Sequence, residues 1–208
     1  MSIEGTVMKA EYDLIAKQWL DMRKNLPDKD AELFDLFLNR LSDNSRVLDL
    51  GCGHGTPVAK LLSEHRHRIV GVDRSEKLLE YARNDMPEHQ WIRSDLESYQ
   101  PEGSFDGIVI WDSMFFLPRE EHLKLIEKAY RALNPHGVMI ISSGGSEEDI
   151  PAFTGTMFDE EFYYDSYPIE QLLAYCESIG LNVIQSVLVN EPDGGRDKGR
   201  LGVVLKKT

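Results

Sequence analysis

The sequence predicts an α/β domain: a mainly parallel sheet with helices on both faces, closed by an antiparallel hairpin. Three observations predict it. Between residues 46 and 180, short apolar runs rich in Val and Ile alternate with segments whose apolar residues recur every three or four positions, as in strands joined by crossover helices. The last two apolar runs, NVIQSVLVN (182–190) and RLGVVLKK (200–207), are joined only by the turn-rich PDGGRDKG, so they pair directly. A purely helical stretch precedes the first strand.

From about Lys9 to Leu41 the spacing is helical, with Leu14, Ile15, Trp19 and Met22 on one face and Leu33, Phe34, Phe37, Leu38 and Leu41 on another. Pro27 separates two helices, with Asp28 or Asp30 near the second start. RVLDL (46–50) is a short buried strand, and PVAKLLSEH is a helix with Pro57 in its first turn. RIVGVD (68–73) is the second strand, followed by Ser75 as N-cap of the helix EKLLEYARN. QWIRSD (90–95) is a weaker strand and FDGIVIWD (105–112) a strong one. PREEHLKLIEKAYRALN (118–134) is a helix ending before Pro135 and Gly137, and GVMIISS (137–143) is the fifth strand. The loop SSGGSEED then leads into FTGTMFDEEFYYDSYP, an irregular aromatic stretch, before the helix IEQLLAYCESIG (169–180), closed by Gly180. There is no internal repeat and no linker long enough to cut the chain, so 1–208 reads as one domain, with a helical cap over 1–44 and the α/β core over 45–208.

Hydrophobic residues at 41% and charged residues at 28% suit a globular fold. The net charge of −13 argues against nucleic acid as a partner, because such binding draws on Lys and Arg at phosphates. Cys52 and Cys176 have neither disulfide-framework nor zinc-site spacing, so no metal is expected. The start MSIEGTVMKAEYD lacks a basic, apolar leader and no run has membrane-spanning length. A cytoplasmic location, no membrane contact and a monomer or homodimer are the expectation.

The chemistry concentrates in RVLDLGCGHG (46–55), where Gly51, Gly53 and Gly55 follow the first strand. In an open parallel sheet this turn lies where ligands bind. Glycines there suit a dinucleotide or S-adenosylmethionine equally. Two details separate them. The dinucleotide pattern places its third glycine at position 56, which is Thr56. Asp49, two residues before the first glycine, repels a pyrophosphate but attracts an ammonium and a sulfonium. Asp73 ends the second strand, where an acid accepts both ribose hydroxyls, although NAD would use it as well. Asp95 ends the third strand, placed to accept from an adenine amino group, with the Leu96 backbone N–H donating to the ring. Each acid could instead cap its own turn; three acids ending three successive strands favour a nucleoside cofactor.

With these residues in place, the sequence resembles the class I S-adenosylmethionine-dependent methyltransferases. The likeness rests on VLDLGCGHG (47–55), VGVDRS (70–75), SDLES (94–98), SFDGIVIWDSMFFLP (104–118), LNPHGVMIIS (133–142) and YDLIAKQW (12–19). It implies a Rossmann-like seven-stranded sheet whose last strand is antiparallel. It also implies cofactor contacts from Asp49, Gly51, Cys52, Gly53, Gly55, Asp73, Arg74, Asp95 and Leu96, with Trp111 to Ser113 beside the methionine moiety and Tyr12 and Trp19 closing over it. Trp19 reads equally as a core anchor. The reaction implied is methyl transfer to a small-molecule acceptor; a nicotinamide-dependent oxidoreductase and a non-catalytic cofactor-binding relative are the alternatives.

Methyl transfer from a sulfonium needs in-line placement and exclusion of water more than a catalytic side chain, so no catalytic residue is assigned. The NPPY or DPPY signature of nucleic-acid amino methylation is absent; the chain has WDSM there. The acceptor side is expected to involve the insert 144–168, with Phe115, Phe116, Tyr163 and Tyr164 as candidate contacts. His122 is expected on a solvated helix face, whereas His54 stands inside the glycine motif.

Overall fold

The computed structural model describes residues 11–193 and 198–208. Its main sheet has seven strands: β1 (Arg46–Leu50), β2 (Arg68–Asp73), β3 (Gln90–Arg93), β4 (Phe105–Ile110), β5 (Leu133–Gly144), β8 (Leu181–Asn190) and β9 (Arg200–Lys207). Their order is β3-β2-β1-β4-β5-β9-β8. Pairing is parallel from β3 through β5; β9 runs antiparallel to both β5 and β8. The direction of strand addition reverses between β1 and β4, and the glycine turn opens at that switch point.

Helices cover both faces, so the strands read as continuous apolar runs rather than alternating ones. On one face Val47, Ile69, Val109 and Ile140 pack with α2 (Asp28–Leu38), α3 (Val58–Glu64) and α4 (Glu76–Asp85), through Phe34, Phe37, Leu62 and Leu79. On the other, Leu48, Val70, Ile108 and Ile141 pack with α5 (Arg119–Ala132) and α6 (Ile169–Ser178), through Leu125, Ile126 and Leu172. Neighbouring residues of one strand thus feed opposite cores, as the two-residue side-chain period dictates. Phe34 and Phe37 are fully buried, and truncating either to Ala would cost about 3–5 kcal/mol. Asp49 shares the face of Val47, at the strand end where the apolar packing stops and α1 (Tyr12–Met22) crosses.

The stretch after β5 is not irregular. Phe153–Met157 (β6) and Glu160–Tyr164 (β7) form a separate two-stranded antiparallel sheet. Its connection is the dipeptide Phe158-Asp159, held at φ 52° and 66°, the left-handed pair that a tight hairpin turn requires. That turn is normally marked by Asn-Gly or Asp-Gly, which is why the sequence pattern missed it. The hairpin is anchored by Asp165, which accepts hydrogen bonds from the Arg119 backbone N–H (2.9 Å), Arg119 Nε (2.7 Å) and Tyr163 Oη (3.1 Å). The remaining guanidinium donors of Arg119 reach Asp149 and the Ile150 carbonyl.

The same packing corrects the expectation for His122. It is fully buried, because Tyr167 covers that side of α5 edge-on at 6.4 Å. Its Nε2 lies 2.8 Å from the Leu117 carbonyl, and burial lowers its pKa, keeping the ring neutral and Nε2 the donor. Among the described residues, no helix is long and apolar enough to cross a membrane.

Candidate functional site

A crevice of about 390 Å³ lies at the carboxyl ends of β1, β2 and β4, roofed by α1. Of the residues singled out for the cofactor, it brings together Tyr12, Trp19, Asp49, Gly51, Cys52, Gly53, Asp73, Arg74, Leu96, Trp111 and Ser113. Phe116 also lines it. Gly55 instead turns toward Met86 and Trp91, where a Cβ would meet Met86 Cε at 2.5 Å. Asp95 stands beside the crevice, 3.5 Å from Arg74 Nε, while Ser94 and Glu97 of the same loop face inward.

The glycine turn is built by two different needs. At Gly51 (φ +87°) a Cβ would lie 2.2 Å from Ser113 Cβ, so β1 and the end of β4 could not approach. Ser113 Oγ closes that approach by donating to the Leu50 carbonyl at 2.8 Å. At Gly53 (φ +55°) the nearest side-chain atom, Trp19 Nε1, is 3.7 Å away, so the backbone is bare toward the crevice. The Gly53 amide donates to Asp73 Oδ2 at 2.8 Å, and the Ser75 amide donates to Asp73 Oδ1 at 2.8 Å. One carboxylate therefore ties the glycine turn to the start of α4. Asp73 braces the start of α4 and also lines the crevice. Burial pushes its pKa up, while these two amides pull it back.

Asp49 is the electrostatic anomaly. It is 2% exposed, and its Oδ2 has no hydrogen-bond partner among the described residues. Desolvation, reinforced by the charge of Asp73, raises its pKa from 3.8 to about 7. A buried carboxylate with a free oxygen in a crevice wall is stabilised by a cation and destabilised by an anion. Cys52 next to the turn has its thiol pKa raised by burial and by both acids, so it remains a neutral thiol and no nucleophile.

The roof is latched at both ends. Asp13 accepts from Ser75 Oγ (2.5 Å) and the Lys77 amide (3.2 Å), and Lys77 Nζ donates to the Asp13 carbonyl (2.8 Å). At the other end Arg23 pairs with Asp112. Asp112 is also bound by Arg200 Nη1 at 2.7 Å, and Arg200 Nη2 holds the buried Asp30 at 2.7 Å and 2.8 Å. Between the latches, Tyr12 meets Trp19, Phe116 and Phe162 edge-on, with centroids 5.0, 5.6 and 5.3 Å away. The Tyr12 hydroxyl is buried, lacks a partner among the described residues and has its pKa raised by burial. Sequence reading missed Arg23, although its spacing of eleven from Tyr12 and four from Trp19 puts it on the same helical stripe.

Phe115 and Tyr164 fall elsewhere, in a second cavity of about 470 Å³ beyond β5. Tyr163 lines neither cavity; its hydroxyl is committed to Asp165, and burial beside that carboxylate raises its pKa to about 12. His54 is buried, its pKa lowered by desolvation, and lines neither cavity. Among the described residues no group of three or more His, Cys, Asp or Glu is placed to hold a metal ion.

An open α/β sheet with a glycine turn, a bracing acid at the end of β2 and an uncompensated acid at the end of β1 makes a crevice suited to a cationic ligand. Residues 47–137 match the family described as the methyltransferase domain. The fold superposes with a TM-score of 0.71 on an S-adenosylmethionine-dependent methyltransferase from Clostridium acetobutylicum ATCC 824, covering 94% of this chain and 98% of that one at 18% identity. Trans-aconitate 2-methyltransferase from Azoarcus sp. (strain BH72) is 37% identical over 102 residues, 49% of this chain and 40% of that protein. Carboxy-S-adenosyl-L-methionine synthase from Glaesserella parasuis serovar 5 (strain SH0165) is 33% identical over 121 residues, 52% of this chain and 48% of that protein. The match spans less than half the length of each of these two relatives. Residues 47–137 thus resemble the methyltransferase-domain family, and the fold is that of S-adenosylmethionine-dependent methyltransferases.

Proposed function

We propose that the protein is an S-adenosylmethionine-dependent methyltransferase acting on a small molecule. The observation that carries this reading is Asp49, a buried carboxylate with a free oxygen beside a bare glycine turn. A pyrophosphate placed there would face an uncompensated negative charge, which disfavours the nicotinamide alternative. The ammonium of S-adenosylmethionine would answer that charge. Asp73 would keep one brace to the turn while accepting from the ribose, and Leu96 would border the adenine. When bound, the cofactor supplies a methyl group already activated by its sulfonium.

The chain's own residues then have three tasks. Asp49 and the Gly53 segment fix the methionine end. Tyr12, Trp19 and Phe116 enclose the reacting region in aromatic surface, which excludes water and favours a cation against the ring faces. The latched α1 would serve as the cap over the cofactor, and the segment 144–168 would border the acceptor. Methyl transfer would need placement alone for an acceptor that has already lost its proton. The likeness to a carboxy-S-adenosyl-L-methionine synthase supports a second reading, a synthase step on the cofactor in the same crevice.

Calorimetric titration with S-adenosylhomocysteine tests the reading. Saturable binding by the wild type, weakened about a hundredfold by Asp49→Asn, is the expected result, since a charge-assisted contact is worth about 1.5–3 kcal/mol. Binding of NADH in place of S-adenosylhomocysteine would overturn it. Label from a methyl donor that appears on no acceptor would favour the synthase reading.

A further inference from the structure

The second cavity lies at the end of β5, against η1 (Met114–Phe116) and the β6–β7 hairpin. Three of its lining residues are aromatic, Phe115, Phe153 and Tyr164, and their rings are nearly parallel. Phe153 and Tyr164 stack at 5.4 Å with 15° between planes, and Phe115 and Tyr164 at 6.1 Å with 25°. The stacked rings present a flat apolar surface, which suits a flat ligand laid against it. Among the described lining residues the formal charges cancel, with Asp165 and Asp193 against Lys198 and Arg200. The two charges nearest the fold's interior are also spoken for: Asp165 by Arg119, and Arg200 by Asp30, Asp112 and Asn190. Bringing in a charged ligand would cost desolvation without a free counter-charge from either of those groups.

One polar group in the lining is unused. Ser143 is fully buried, lines this cavity, and its Oγ has no partner among the described residues. Its neighbour Ser142 is spent on Asp112, donating to Oδ1 at 3.2 Å and accepting from the Asp112 amide at 2.7 Å. A buried hydroxyl without a hydrogen bond is costly, and a ligand hydroxyl or amine would recover that cost. The cavity approaches the cofactor crevice at η1: Phe115 lines one, Phe116 the other, and their centroids are 4.8 Å apart.

We propose that this second cavity receives the flat body of the methyl acceptor, and that the acceptor is a neutral planar ring compound with a hydroxyl or amino group bound by Ser143 and its accepting atom at the opposite edge, toward Phe116. The proposal rests on the methyltransferase reading. Transfer to a hydroxyl at that edge forms one oxygen–carbon bond and breaks the carbon–sulfur bond, whose electron pair stays on sulfur. The hydroxyl proton passes to water before that edge is enclosed, so the oxygen attacks as its conjugate base and no further co-reactant is needed.

The test uses 2,7-dihydroxynaphthalene as a neutral probe and 7-hydroxy-2-naphthoate as its anionic counterpart, each titrated into the full chain saturated with S-adenosylhomocysteine. Saturable binding of the neutral probe, weakened about tenfold by Ser143→Ala and at least as much by Phe153→Leu, is expected, with the naphthoate at least tenfold weaker than the neutral probe. Phe153→Leu keeps apolar bulk in the hairpin while removing the stack, and unchanged S-adenosylhomocysteine affinity in both variants shows that they fold. Equal or tighter binding of the naphthoate, unchanged probe affinity in both variants, or no binding of the neutral probe would each overturn the proposal while leaving the cofactor reading standing. Failure of S-adenosylhomocysteine itself to bind would sink the methyltransferase reading instead.

Discussion

The two cavities sit on either side of the short turn Met114–Phe116, yet they solve opposite electrostatic problems. The first has a carboxylate at 2% exposure with a free oxygen and a pKa near 7. The second has its formal charges matched and an unpaired hydroxyl from Ser143. A site left electrically incomplete waits for a charged ligand, whereas a balanced one selects by shape and hydrogen bonding.

The largest effect that would break this comparison is at Asp49. Its folded-state pKa is raised above the unfolded value, so folding is favoured with the carboxyl protonated. That contribution is fully present below about pH 3.8 and is lost as pH rises through about 7. The interval corresponds to about 4 kcal/mol at most. Asp49→Asn should therefore raise the ligand-free melting temperature at about pH 8 by several degrees and leave it unchanged near pH 3. Thermal scans at the two pH values check it; a mutant that melts lower at about pH 8 would contradict it.

Next come the glycines. Gly51→Ala should destabilise the fold by several kcal/mol, because its Cβ would lie 2.2 Å from Ser113 Cβ in a left-handed backbone. Gly53→Ala meets nothing closer than 3.7 Å and should cost only the left-handed strain, about 1 kcal/mol. Its effect should appear instead in cofactor affinity. Denaturant melts beside titrations would separate the two, and equal losses of stability would be the wrong result.

Arg119→Ala sharpens the contrast between the cavities. It leaves the buried Asp165 without its guanidinium partner, costing about 3 kcal/mol locally. Amide exchange should speed up in Phe153–Tyr164, with S-adenosylhomocysteine affinity unchanged. The smallest effect is expected for Arg23→Ala, which frees one end of α1 while Asp112 keeps Arg200. About a tenfold loss of cofactor affinity, mainly through faster dissociation, is the expectation, readable by stopped flow.

The segment from Arg46 to Ile110 was legible in the sequence, with β1 and β2 matching the expected spans residue for residue. Local signals wrote it: apolar runs, an N-cap at Ser75 that accepts from the Leu78 amide, and acids at strand ends. What escaped was written by partners far apart in the chain. Arg200 and Asp30 are 170 residues apart and Arg23 and Asp112 are 89 apart, and no periodicity joins them. The β6–β7 hairpin escaped because Phe158 and Asp159 adopt a turn usually built from Gly or Asn. His122 was misjudged for a related reason: the residue that buries it, Tyr167, comes from that later segment. Phe115 and Tyr164 were picked as acceptor-side residues, and they line one cavity together with Ser143, which no sequence signal marked.

The central claim is that Asp49 awaits a cation, and proton release on binding tests it most directly. S-adenosylhomocysteine should be titrated at about pH 6 and about pH 8, in buffers of different ionisation enthalpy. Binding should be tighter at the higher pH, with proton release near pH 7, and both effects should be lost in Asp49→Asn. Affinity independent of pH, with no proton exchanged by the wild type, would contradict it.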